Sequence, residues 1–191
     1  KIEDLRLFGV DDRIYAIAAL ILSRARYRSW LPELSSEAAA NNTIDDMLVV
    51  QSLGRLDLER GDLRFEQLPV LHRSPDPEQP ELDLPRGFEK NWLLCPWHQQ
   101  QALLYSIQPW QVFEGGHDLR HWQLMHNVPL VLPNSIQGPL RNSAHPFPLP
   151  DCDGERQLGL VVHRRRHGTY IYDQYLIVVS ADTLLPLRIS R

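Results

Sequence analysis

Two groups of residues in this chain have the types and spacing to do chemistry. In the stretch 163–175, His163, Arg164, Arg165, Arg166 and His167 precede Tyr170, Tyr172 and Tyr175. Guanidinium forks match carboxylate and phosphate oxygens, and tyrosine rings offer stacking faces to bases or to other side chains. Alternation along a strand separates Tyr170 and Tyr172 from Tyr175, so at most two of the three share a face. The partner-binding set expected here is therefore Arg164, Arg165, Arg166, His167, Tyr170 and Tyr172, and the partner is anionic: nucleic-acid phosphate or an acidic protein surface.

The second group is Glu114, His117, Asp118 and His121. Two histidines four apart share a face if the segment is helical. Neutral imidazoles beside a carboxylate then hold a divalent metal. His117, Asp118 and His121 thus define an alternative, a metal-dependent hydrolase or nuclease, with Glu114 or Asp118 as the base near a bound water. The pattern lacks the glutamate beside the first histidine that marks the zinc-protease helix, and Gly115-Gly116 favours a loop. Outside the metal alternative no cofactor is expected, because no glycine loop with a following lysine is present to cradle phosphates. Nucleophilic catalysis has no motif to support it. There is no Gly-x-Ser-x-Gly elbow, and Cys95, three residues before His98, sits in no known nucleophile context.

Composition bounds these readings. The chain has 191 residues, 43% of them hydrophobic and 23% charged, which suits a globular fold with a real core. A net charge of −4 argues against coating nucleic acid with the whole surface and leaves only a local patch. Lys1 and Lys90 are the only lysines; the arginine bias is what a GC-rich genome produces and supports no function alone. Cys95 and Cys152 are too few for a paired-cysteine zinc site and could be bonded or free. The longest apolar run, 14–22, is too short for a membrane-spanning helix, so a soluble protein without a membrane span is expected. No segment has the order of a secretory leader, which leans towards a cytoplasmic setting.

The elements that must position these groups read as an α+β fold: amino-terminal helices and a β-hairpin, followed by a mainly antiparallel sheet that ends in a long hairpin. Ile14, Ile17, Ala18, Ile21 and Leu22 recur at helical spacing after Asp11 and Asp12, which predicts a helix over 11–30. Thr43 as a cap, Asp45 and Asp46 in a first turn, and Met47, Val50 and Leu53 predict a second helix ending at Gly54. Strict alternation on either side of Gly61 predicts a hairpin over 55–66. Two helices and a hairpin suggest a further alternative, a winged-helix DNA-binding module at 11–68, although Asp45 and Asp46 would face phosphate.

The proline-rich acidic stretch 73–87 reads as a linker or loop between a helical and hairpin part, 1–72, and a mainly β part, 88–191; the two parts could equally form one domain. A second proline-dense stretch, 129–150, reads as an extended loop. Short strands are expected around Trp92, Ala102, Trp110 and Trp122, with Gln99 to Gln101 able to begin a helix instead. The apolar runs 158–162 and 170–179 flank a basic turn and predict the closing hairpin, and 187–189 predicts a last strand.

Overall fold

The computed structural model describes residues 2–10, 13–23, 47–67, 70–72, 82–83, 91–98, 100–115, 120–134, 136 and 138–190. Every regular element among them is a β-strand. The helical half of the α+β expectation is therefore overturned. β1 (Ile2–Val10), β2 (Arg13–Ser23), β3 (Met47–Asp57) and β4 (Asp62–Gln67) form a four-stranded antiparallel sheet in chain order.

The first expected helix failed because residues 14–22 are apolar at every position, so helical spacing is contained in the run without being its cause. Ala16, Ile17, Ala18, Ala19 and Leu20 are all buried in succession, which means both faces of β2 are covered. A strand buried on both faces reads as an unbroken apolar run. Asp11 and Asp12, read as helix-starting residues, lie outside the described residues, as do 24–30.

The second expected helix is corrected in the same way. From Met47 onward the chain is strand, paired with β2 from Ser23↔Met47 to Ile14↔Leu56, while Thr43, Asp45 and Asp46 lie outside the described residues. The β-branched Val49 and Val50 suit a strand better than a helix. The recognition helix of a winged-helix module is thereby lost.

The hairpin over 55–66 is present. β3 and β4 pair from Gly54↔Phe65 to Asp57↔Asp62. The Asp57 carboxylate accepts the backbone N–H groups of Glu59 at 3.1 Å and Arg60 at 3.2 Å, an Asx-type turn, and Gly61 takes a positive φ of 62°. Gly54 allows the two strands to close: a Cβ there would stand 2.7 Å from the Arg64 carbonyl oxygen.

The chain divides into two compact units, Lys1–Lys90 with Gly116–Gln123, and Asn91–Gly115 with Leu124–Arg191. Besides its four-stranded sheet, the first contains β5 (Val70–His72), which pairs antiparallel with β6 (Leu82–Asp83) and parallel with 121–123, the start of β10 (His121–Val128). β6 falls inside the stretch 73–87; the rest of that stretch lies outside the described residues.

In the second unit, β7 (Leu93–Trp97), β8 (Gln100–Ser106) and β9 (Trp110–Gly115) form an antiparallel meander, with β10 next to β9. Residues 100 and 101 are strand, not the start of a helix. A second sheet is built on β13 (Glu155–Arg165) and β14 (Tyr172–Ser180), with β15 (Pro186–Ser190) beyond β14. β11 (Arg141–Asn142) and β12 (Phe147–Cys152) both pair with β13, so the proline-dense stretch 129–150 is part sheet rather than all loop.

The core of this unit lies between its two sheets. Leu93, Cys95, Leu104, Trp110 and Val112 from one sheet meet Leu160, Val162, Tyr175, Ile177 and Val179 from the other. Side chains of β7, β9 and β10 also contact three successive carbonyls of the turn before β15. The Trp97 indole donates to Asp182 O at 3.1 Å and the Trp110 indole to Leu184 O at 3.0 Å, while His126 Nε2 lies 2.6 Å from Thr183 O. A buried indole needs such a partner, and Trp110 is fully buried. Among the described residues no helix is long and apolar enough to cross a membrane.

Candidate functional site at the carboxyl-terminal hairpin

The hairpin that carries the basic stretch has a fixed register. β13 and β14 pair from Gln157↔Ser180 to Arg165↔Tyr172, and the tip is closed by Arg166 N–H donating to Ile171 O at 2.9 Å. Inside the tip, Thr169 N–H and Thr169 Oγ1 both donate to Arg166 O, at 3.1 and 3.0 Å, and Ile171 N–H donates to Thr169 Oγ1 at 3.1 Å. Gly168 supplies a positive φ of 71°. The tip is held by its own hydrogen bonds and does not need a partner to acquire a shape.

Residues directly opposite in an antiparallel pair point to the same face. Arg164 is opposite Asp173 and Val162 opposite Tyr175, so Arg164 and Asp173 stand on the core face, one step beyond the apolar core. There the Asp173 carboxylate, nearly fully buried, accepts from Arg164 Nη2 at 2.7 Å, from Arg166 Nη2 at 2.7 Å and from Arg166 Nε at 3.1 Å. The Arg166 hydrogen bond, then the Arg164 one, hold the Asp173 carboxyl well below the usual carboxylate range. Asp173 in turn raises the Arg166 guanidinium above its ordinary value. Two of the three arginines in the run, the part-buried Arg164 and the exposed Arg166, therefore pair with one buried carboxylate.

The outer face is different. Arg165 is exposed; its Nε donates to Thr169 O at 2.5 Å and its guanidinium lies 4.6 Å from the centroid of the Tyr170 ring. Tyr170 is 86% exposed, and Ile171 and Tyr172 beside it are 55% and 47% exposed. The Tyr172 ring meets the His163 ring edge-on at 5.2 Å. His163 Nδ1 lies 2.6 Å from Ser143 Oγ, which also donates to Gln174 Oε1 at 3.4 Å. Tyr175 points the other way and is buried in the core.

The structure thus sorts the expected binding set. Arg165, Tyr170 and Tyr172 are together on the open face and tip, His167 is exposed on the tip, and Arg164 and Arg166 are turned to Asp173. Sequence reasoning missed Asp173, although a hairpin centred between Gly168 and Thr169 already places it opposite Arg164. It also missed Arg141, which β11 brings opposite His163 from within the proline-dense stretch; no local signal reveals that pairing.

Of the metal alternative, His117 and Asp118 lie outside the described residues. His121 is exposed on strand β10, opposite Val70, where helical spacing does not apply. Among the described residues no group of three or more His, Cys, Asp or Glu side chains could hold a metal ion. Both cysteines are free thiols. Burial pushes the Cys95 thiol up to about 11, and its Sγ lies 3.4 Å from Pro96 O, its donor contact, while the His98 ring packs on Trp97 at 4.4 Å. No protein-family model, curated protein or solved structure matches this chain.

Proposed function

We propose that this chain is a non-enzymatic binding or assembly component that docks on an acidic protein surface through the tip of its carboxyl-terminal hairpin. One observation carries the reading: Tyr170 stands 86% exposed with the Arg165 guanidinium over its ring. A preformed tip that offers Tyr, Ile and Arg together has the composition of an interface hot spot, where aromatic and arginine side chains dominate. The ordering cost of binding is small because the tip's own hydrogen bonds already hold its shape. An acidic protein is favoured over nucleic acid because Asp173 engages two of the three arginines, and phosphate-backbone affinity grows with the number of cations available to phosphates.

The test is capture from extract of the source cells with tagged wild-type chain and with Tyr170→Ala/Arg165→Ala, followed by titration of the retained protein in purified form. The double variant is expected to weaken binding by about thirtyfold or more, the size of a hot-spot loss, with its melting temperature nearly unchanged. A partner bound equally by both proteins would remove the tip from the interface.

A further inference from the structure

The register of the carboxyl-terminal sheet places cations on its outer face that the sequence separates. Arg141 on β11 is directly opposite His163 on β13. The contact from Ser143 Oγ to His163 Nδ1 at 2.6 Å shows which face this is, since Ser143 is two residues from Arg141 on one side of the chain. Arg165, two residues beyond His163, lies on that same face, as does Tyr172 opposite it. Arg141 and Arg165 are diagonal neighbours across the β11–β13 pair, a relation that sets residues roughly 7–8 Å apart, within reach of long side chains. Both are exposed. The face therefore carries Arg141 opposite His163 and Arg165 two residues along from it, with Gln174 and Tyr172 beside them, while the Asp173 carboxylate points to the opposite side.

From this juxtaposition we infer that the outer face around Arg141, His163 and Arg165 is a docking site for an acidic, extended peptide segment of the partner, whose carboxylates pair with the two arginine forks. The inference rests on the tip-docking reading and adds to it a second contact, on β11, that names what the partner must bring. The occupant follows from charge complementarity: planar forks bind carboxylates bidentately, and an extended chain repeats its side chains on one face at about the spacing of alternate strand residues. The Arg164 and Arg166 guanidiniums take no part, because both face Asp173.

The experiment uses the full chain and a fluorescein-labelled peptide of about twelve residues alternating Glu and Ser, followed by anisotropy at low salt and at roughly 0.5 M salt, where surface charge is screened. The wild type is expected to bind the peptide and to lose it at high salt. Arg141→Gln and Arg165→Gln should each weaken binding about tenfold, a typical size for losing one charge-assisted contact, while Arg166→Gln should change it less than about twofold. Melting curves establish that each variant is folded. If Arg141→Gln binds as the wild type does while Tyr170→Ala and Arg165→Gln still release the captured partner, the outer-face site falls and tip docking stands. If Arg141→Gln and Tyr170→Ala both leave every interaction intact, both readings fall. A wild-type chain that binds an oligothymidine and not the acidic peptide, or neither, overturns the acidic-peptide assignment.

Discussion

On the core face of the β13–β14 hairpin, Arg164 and Arg166 surround Asp173, which is 6% exposed; on the outer face, Arg165 lies over an open tyrosine ring. Three consecutive residues of one type are thus divided between pairing with a buried carboxylate and lying over an open aromatic ring. The divider is the pleat, which sends alternate side chains to opposite faces. The single carboxylate opposite Arg164 then decides which arginines are used internally. A run of basic residues on a strand is therefore two half-runs, and the half that faces a cross-strand carboxylate is already paired within the chain.

The largest test of this division is Asp173→Ala. Removing the shared partner takes from Arg164, whose side chain is 20% exposed, the carboxylate it donates to. Breaking one side of a buried pair is among the more damaging surface-to-core changes. A fall in melting temperature of roughly 10 °C is expected for a chain of this size. The same residue sets an acid response. Its carboxyl is held below the usual range in the folded chain, so the stability it contributes is complete above the ordinary carboxylate pKa and is lost as pH falls from there towards the depressed value. Melting curves between about pH 6 and pH 2 should therefore slope less for Asp173→Asn than for the wild type. Equal slopes would mean that the triad does not form in solution.

A comparison of single arginines sharpens the point. Arg164→Ala should lower the melting temperature by several degrees because it removes a cation hydrogen-bonded to a buried carboxylate. Arg165→Ala gives up one exposed cation–π contact and one bond to Thr169 O, and its stability should stay within about 0.5–1 kcal/mol of the wild type. Binding should rank the two in the opposite order. Thermal melts and partner titrations on the same preparations read both rankings, and a destabilising Arg165→Ala would erase the distinction between the faces.

How much of this was legible beforehand depended on whether a feature is local. The closing hairpin was readable because two apolar runs and the Gly168 turn between them lie within a short stretch, and the 55–66 hairpin because strict alternation flanks Gly61. The split of the three tyrosines followed from strand parity alone. β2 misled because an unbroken apolar run such as 14–22 contains both periods at once, and burial on both faces, which decides between them, is a property of what packs on it. Asp173 is legible too, because a turn centred between Gly168 and Thr169 sets it opposite Arg164. Arg141 was out of reach, since its place beside His163 depends on how the segment 129–150 returns to the sheet.

The two cysteines carry the same contrast between inside and outside into a smaller effect, free of charge pairing. Cys95 is in β7, packed in the core between the two sheets of its unit, and burial raises its thiol to about 11. Alkylating reagents attack the thiolate, so at pH 8 only about a thousandth of Cys95 is in the reactive form, and the side chain is also shielded from contact. Cys152 ends β12 beside the Asp153-Gly154 turn and is exposed. Iodoacetamide at pH 8 should therefore add one group to the native chain, located by peptide mass spectrometry at Cys152. Denaturant should bring the total to two, and Cys152→Ser should leave the native chain unlabelled. Labelling of Cys95 at the Cys152 rate would mean that the two sheets open readily, in which case the core face could not hold Asp173 apart from solvent.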